Sequence, residues 1–212
     1  MPRGITVLGT GTAAATPDVL RLELGAEVLG QNPQQALAAA SRALDLMRAE
    51  LAGAGVAGSD LTSRSISLWP RHEEHGKLAG YAADLRMSAR LRELTEAGTL
   101  ISRVVAAGGE PARLHGLSFE HSEPAGLVAA ARAAAWRDAE ASARQYAELS
   151  GQPLGDVLGI AESPGAGPIR PVLLRGGMGA AAEAVPIEPG ETEVTVRVEV
   201  RYAFAGARDS DS

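Results

Sequence analysis

Alternation of apolar and polar residues is the clearest pattern in the chain. Residues 19–28 place Leu20, Leu22 and Leu24 on one side and charged residues on the other, and residues 191–205 do the same with four valines, Tyr202 and Phe204. This period of two is typical of strands with one buried face. Further strands are predicted at 5–12, 61–70, 81–91, 112–120 and 154–160.

Three segments show the helical period instead. Asn32 and Pro33 suit the N-cap and first position of a helix that ends at Gly53. A second helix is predicted at 93–107, and a third runs from a cap at Ser122 to Leu149. We assign the buried stripe of the third helix to eight residues: Leu127, Val128, Ala131, Ala135, Ala139, Ser142, Tyr146 and Leu149.

The element order is β-β-α-β-β-α-β-α-β-loop-β, which predicts an α+β fold. Alternating strands favour a mostly antiparallel, twisted sheet with helices packed on one face. We expect a single domain over residues 1–206, or two intertwined subdomains within it. Residues 162–190 are rich in Pro and Gly and form a long loop, and 207–212 form a disordered tail.

Composition narrows the possible partners. Apolar residues make up 45% of the chain but aromatic residues only 3%, so alanine-rich helices need close backbone approach or a partner subunit to bury enough area. The net charge of −6 disfavours nucleic acid. No apolar run reaches the length of a membrane span, and the first residues do not resemble a signal peptide. We therefore expect a cytoplasmic protein.

Candidate chemistry is sparse, and we expect no catalytic residues and no cofactor. The glycines of Gly9-Thr-Gly11 could belong to a dinucleotide loop, but a strand rather than a helix follows, which favours a role within an edge strand or bulge. His72 and His75 flank two glutamates on a predicted hairpin turn. They are candidate metal ligands, although a solvated turn is the simpler interpretation.

Several apolar residues are candidates for contact with another subunit. Trp136 lies off the buried stripe of the third helix, so it either completes the core or meets a neighbour. The Pro/Gly-rich loop would expose further apolar side chains in a monomer. These loop candidates are Ile169, Val172, Leu173, Leu174 and Met178.

A set of short motifs resembles the SIMPL-domain family. The motifs are the opening residues 5–11 with Pro17-Asp18, the block 55–70, Gly80-Tyr81, residues 116–119 before an alanine-rich helix, Gly151 with 154–157, and 187–202. The resemblance implies an α+β fold, large homo-oligomers, no accepted enzymatic activity, and bacterial relatives that are often exported and linked to oxidative stress.

These observations predict a non-enzymatic scaffold or binding protein whose partner is the chain itself. Repetition of one interface with closed symmetry would give a ring or cage. The alternative is a metal- or small-molecule-binding stress protein that uses the His72–His75 turn. An enzyme with an unrecognised site is the third hypothesis.

Overall fold

Antiparallel strands and three helices make up the described part of the chain. The computed structural model describes residues 4–73, 76–163, 170–172 and 188–205. The elements are β1 (Gly4–Ala15), β2 (Val19–Gly30), α1 (Pro33–Gly53), β3 (Leu61–His72), β4 (Leu78–Leu91), α2 (Ala97–Gly108), β5 (Ala112–Glu120), α3 (Pro124–Leu149), β6 (Leu154–Glu162), β7 (Arg170–Val172) and β8 (Glu191–Phe204).

The predicted α+β class with antiparallel pairing is confirmed, but the strands form two sheets rather than one. The chain divides into two compact units. We call residues 17–122 the continuous unit, and the described parts of 4–16, 123–172 and 190–205 the split unit. No helix in the described residues is long and apolar enough to cross a membrane.

The continuous unit contains a sheet with strand order β3-β4-β2-β5. Helices α1 and α2 cover one face, over a core built from large side chains. The predicted cap of α1 is present, because the Asn32 side chain accepts a hydrogen bond of 2.9 Å from the Gln35 amide. The fully buried core side chains include Leu20, Leu22, Leu24, Met47, Leu51, Met87 and Ile101.

A pair of hydrogen bonds joins the beginning of the continuous unit to its end. The Ser122 amide donates to Asp18 Oδ1 over 2.7 Å, and the Ser122 hydroxyl donates to Asp18 Oδ2. These bonds lower the pKa of the Asp18 carboxyl. Ser122 was predicted to cap α3, but the residue at that position is Glu123, whose side chain makes no capping bond.

In the split unit, β8 lies between β1 and β6, and β7 also pairs with β8. β1 pairs with β8 along its whole length, from Gly4 opposite Ala203 to Ala15 opposite Thr192. On the edge of the sheet, the Thr10 amide donates to Asp138 Oδ2 over 2.8 Å. This bond occupies a backbone donor that another strand could otherwise use.

Helix α3 covers the split unit's sheet, and its fully buried residues are all alanine. Gly9 and Gly11 allow its backbone to approach β1, since a Cβ on Gly9 would lie 2.1 Å from the Ala135 carbonyl oxygen, and one on Gly11 would lie 2.1 Å from the Ala135 nitrogen. The two glycines thus serve packing inside a strand. The buried residues of α3 are Ala131, Ala135, Ala139, Ala143 and Ala147.

The predicted stripe of α3 was wrong at its C-terminal end. Tyr146 and Leu149 are exposed, and Ala143 and Ala147 are buried in their place. The buried residues keep a constant spacing of four along the whole helix, so Ala143 and Ala147 continue the line of Ala139, whereas the predicted stripe left that line at Ser142.

Candidate functional surfaces

The β3 apolar patch, formed by Ile66 and Leu68, lies on the covered side of its sheet without being covered. Ile66 is opposite Leu85 and Leu68 is opposite Ala83, and both partners are buried in the core under α1. β3 is an edge strand that α1 contacts only slightly, and Ile66 is 70% exposed. Two aliphatic side chains thus face solvent on the side that the fold otherwise buries.

The β6 apolar patch, formed by Val157 and Ile160, repeats this situation in the split unit. Val157 is opposite Tyr202 and Ile160 is opposite Val200, and both of these β8 residues are buried beneath α3. A single helix lies mainly over β1 and β8, so Ile160 remains 61% exposed. Within the part of the chain that the structure describes, each sheet therefore has an edge strand on which two core-side aliphatic residues remain exposed.

Sequence analysis missed both patches. Alternation identifies which side chains share a face, but it does not reveal how far a helix extends across the sheet. Whether an edge strand is covered depends on the strand order, here β3-β4-β2-β5 in the continuous unit, and on the small number of helices. In the split unit, the count of strands against helices was a signal, because one helix about 10 Å wide covers only about two strands spaced about 4.8 Å apart.

The predicted metal turn is only partly described. His72 is the last residue of β3 and is exposed, opposite Leu78 in the register. His75 lies outside the described residues. Within the described residues, no three His, Cys, Asp or Glu side chains are close enough together to hold a metal ion.

Trp136 is half-buried against its own unit. Its ring lies 6.5 Å from that of Tyr202, centroid to centroid, at an interplanar angle of 51°. The ring also packs on the core of the split unit. A role in contact with another subunit stays a prediction for this residue.

The loop candidates lie almost entirely outside the described residues. Val172 is the last residue of β7, which pairs with β8 through Val172 opposite Glu191. Ile169, Leu173, Leu174 and Met178 are not among the described residues. Their predicted part in an interface remains a prediction.

The outer face of the continuous unit's sheet carries a network of paired charges. Arg21 and Arg90 are directly opposite each other on β2 and β4. Glu120 bridges them, with both N···O distances at 3.3 Å, and Arg21 also pairs with Glu23 at 2.7 Å. The like charges of the two arginines are therefore compensated within the sheet.

Together, these features define an α+β protein with two antiparallel sheets, each of which has exposed aliphatic residues on an edge strand. The SIMPL family model, described as a protein of unknown function (DUF541), matches residues 5–202, and the chain belongs to this family. The 26 kDa periplasmic immunogenic protein of Brucella melitensis is 27% identical, over 95% of this chain and 84% of the relative. The protein of the same name from Brucella abortus matches to the same extent.

The relatives correct one prediction. A cytoplasmic location was expected because the first residues do not resemble a signal peptide. Both relatives are named periplasmic proteins, which contradicts that expectation. The composition of the first residues was therefore an unsuitable basis for assigning a compartment.

Proposed function

We propose that this chain is an exported, non-enzymatic protein that assembles with copies of itself through the β3 and β6 apolar patches. Export is proposed because both relatives are named periplasmic proteins. A link to stress physiology rests on the family resemblance. The observation that carries the assembly proposal is the uncovered core-side face of an edge strand in each unit.

Patch size supports a repeated contact rather than one large interface. Two aliphatic side chains expose far less than the roughly 800 Å² that each partner buries in a stable complex. Each copy therefore needs to use both patches, together with the polar surface around them. Contact between two different surfaces of the same chain is head-to-tail, and such contacts close into rings when the rotation allows.

The test is sedimentation velocity of the purified protein at micromolar concentration, with single charged substitutions. We expect the wild type to assemble, and we expect Ile66→Glu and Ile160→Glu each to raise the dissociation constant at least tenfold. The matched control is Leu8→Glu, because Leu8 is 66% exposed on β1 but its register partner Glu199 faces outward.

Two outcomes would contradict the proposal. The first is a monomeric wild type across the micromolar range. The second is an assembly that Leu8→Glu weakens as much as the patch substitutions do, because the patches would then have no special part in it. Circular dichroism of each variant establishes that its fold is retained.

A further inference from the structure

His115 and Asp84 form an unusual pair on the outer face of the continuous unit's sheet. His115 belongs to β5 and Asp84 to β4, with β2 between them. The imidazole nevertheless lies with Nε2 4.0 Å from Asp84 Oδ1. A side chain has thus crossed an intervening strand to face a carboxylate.

Gly25 of β2 makes this crossing possible. A Cβ at this position would lie 2.7 Å from His115 Nε2, so any other residue would displace the ring. The β2–β5 register also shifts between Glu23 and Leu24, and His115 lies at this irregularity. A bulge of this kind re-aims a side chain, and here the affected side chain points along the sheet.

The Asp84 carboxylate is incompletely satisfied. Its side chain is only 10% exposed, and Oδ2 accepts a hydrogen bond of 2.7 Å from Arg86 Nε. Oδ1 is buried and has no hydrogen-bond partner among the described residues. Burying a carboxylate oxygen without a partner is costly, so a group that binds Oδ1 would stabilise the site.

We propose that His115 Nε2 and Asp84 Oδ1 bind a divalent transition-metal ion, zinc or copper(II). A neutral imidazole and a carboxylate are the nitrogen and oxygen donors that these ions accept. Tetrahedral zinc with bond lengths of about 2.1 Å places two such ligands about 3.4 Å apart. The imidazole needs to move about 0.6 Å from its present distance to reach that geometry.

The neighbouring charges leave room for a cation. Arg86 already pairs with Asp84, but its side chain is about half exposed and can move toward solvent. Glu27 is opposite Asp84 in the register and now pairs with Arg113 at 3.4 Å. Water would supply the remaining ligands, because Glu27 is not close enough to the other two side chains to serve as a third protein ligand. The ion would enter past the imidazole, which is 27% exposed.

The experiment follows the imidazoles of the full chain during addition of zinc chloride. The chain has four histidines, at positions 72, 75, 115 and 121, and long-range proton–nitrogen NMR spectra resolve each ring. We expect the His115 Nε2 resonance to shift first, with one equivalent bound at micromolar affinity. Isothermal titration should show at least a tenfold weaker affinity for His115→Gln and for Asp84→Asn.

Two matched controls separate this site from the rest of the chain. His121→Gln removes another histidine of the same unit, and the double variant His72→Ala/His75→Ala removes the predicted turn site; neither should change the affinity. If only the double variant loses zinc, or if the His115 resonance responds to pH but never to zinc, the proposal is wrong. His115→Gln keeps the result interpretable if Asp84→Asn fails to fold, and the outcome does not depend on assembly.

Discussion

Each unit contains its own four-stranded antiparallel sheet, and the residues that cover the sheet differ between the two units. The continuous unit uses two helices and a core of leucine, methionine and isoleucine, whereas the split unit uses one helix whose buried residues are alanine. Large side chains stabilise by the area they remove from water. Small side chains stabilise by bringing backbones close enough for dense packing. The two units should therefore respond in opposite ways to changes in side-chain size.

Each unit also contains one tryptophan, whose fluorescence can report the unfolding of that unit. Trp69 is in the continuous unit and Trp136 in the split unit, and the chain has no other tryptophan. Trp136→Phe leaves fluorescence that follows the continuous unit, and Trp69→Phe leaves fluorescence that follows the split unit. Urea titrations in these two backgrounds measure the free energy of unfolding of each unit.

Truncation in the continuous unit should give the largest effect. Leu22→Ala removes a fully buried side chain between the sheet and its helices, and we expect the free energy of unfolding to fall by about 3 kcal/mol. Leu29→Ala, on the same strand but 67% exposed, should change it by less than about 0.5 kcal/mol. If both variants lowered the free energy of unfolding equally, the leucine core would not be the main source of this unit's stability.

Adding a methyl group at a tightly packed glycine of the split unit should cause the second-largest loss of stability. Gly11→Ala places a methyl group against the backbone of α3, and we expect a loss of about 2 kcal/mol. Gly159→Ala in β6 of the same sheet is the control, because no atom lies within 4 Å of the added Cβ. If both glycines tolerate alanine equally, the close approach of α3 is not a source of stability.

Removal of the buried Tyr202 hydroxyl should have the smallest effect. This oxygen has no hydrogen-bond partner among the described residues, so Tyr202→Phe should change stability at neutral pH by less than about 0.5 kcal/mol. Burial, assisted by the charge of Glu140, raises the pKa of Tyr202. Folding thus favours the neutral phenol, and this contribution is lost as pH rises above the unfolded pKa of about 10.

Denaturation between pH 9 and pH 11 checks the sign of this effect. The wild type should lose stability above pH 10 more steeply than Tyr202→Phe does. Tyr146→Phe, at an exposed position on α3, should follow the wild type. Parallel curves for wild type and Tyr202→Phe would show that burial of this phenol does not couple to folding.

The alternating pattern predicted most of the fold because it depends on local side-chain direction. β5 was predicted at its observed bounds, and the Asn32 cap and the face assignments of β2 and β8 agree with the structure. Partition into two sheets was not predictable in this way. It depends on pairing between distant strands, such as Leu20 with Leu91 and Ile5 with Tyr202.

Asp84 shows why the candidate sites were harder to predict than the strands. Alternation along residues 81–91 predicts that its side chain lies on the outward face of β4, opposite the core, but it does not predict whether an outward side chain is exposed. The side chain is buried because Arg86 and an imidazole from a strand two positions away lie over it. That arrangement depends on a glycine and a bulge in other strands, which no local pattern in β4 contains.

Pairing of β1 with β8 has a consequence for the order of events during synthesis. All described helices and strands of the continuous unit are complete once residue 122 has emerged, whereas Gly4 must wait for Ala203 before it acquires its neighbour. A chain that appears N-terminus first would keep β1 without its partner until β8 has been made. β8 is thus the last strand of the split unit to be made, and its pairing with β1 and β6 completes the sheet of that unit.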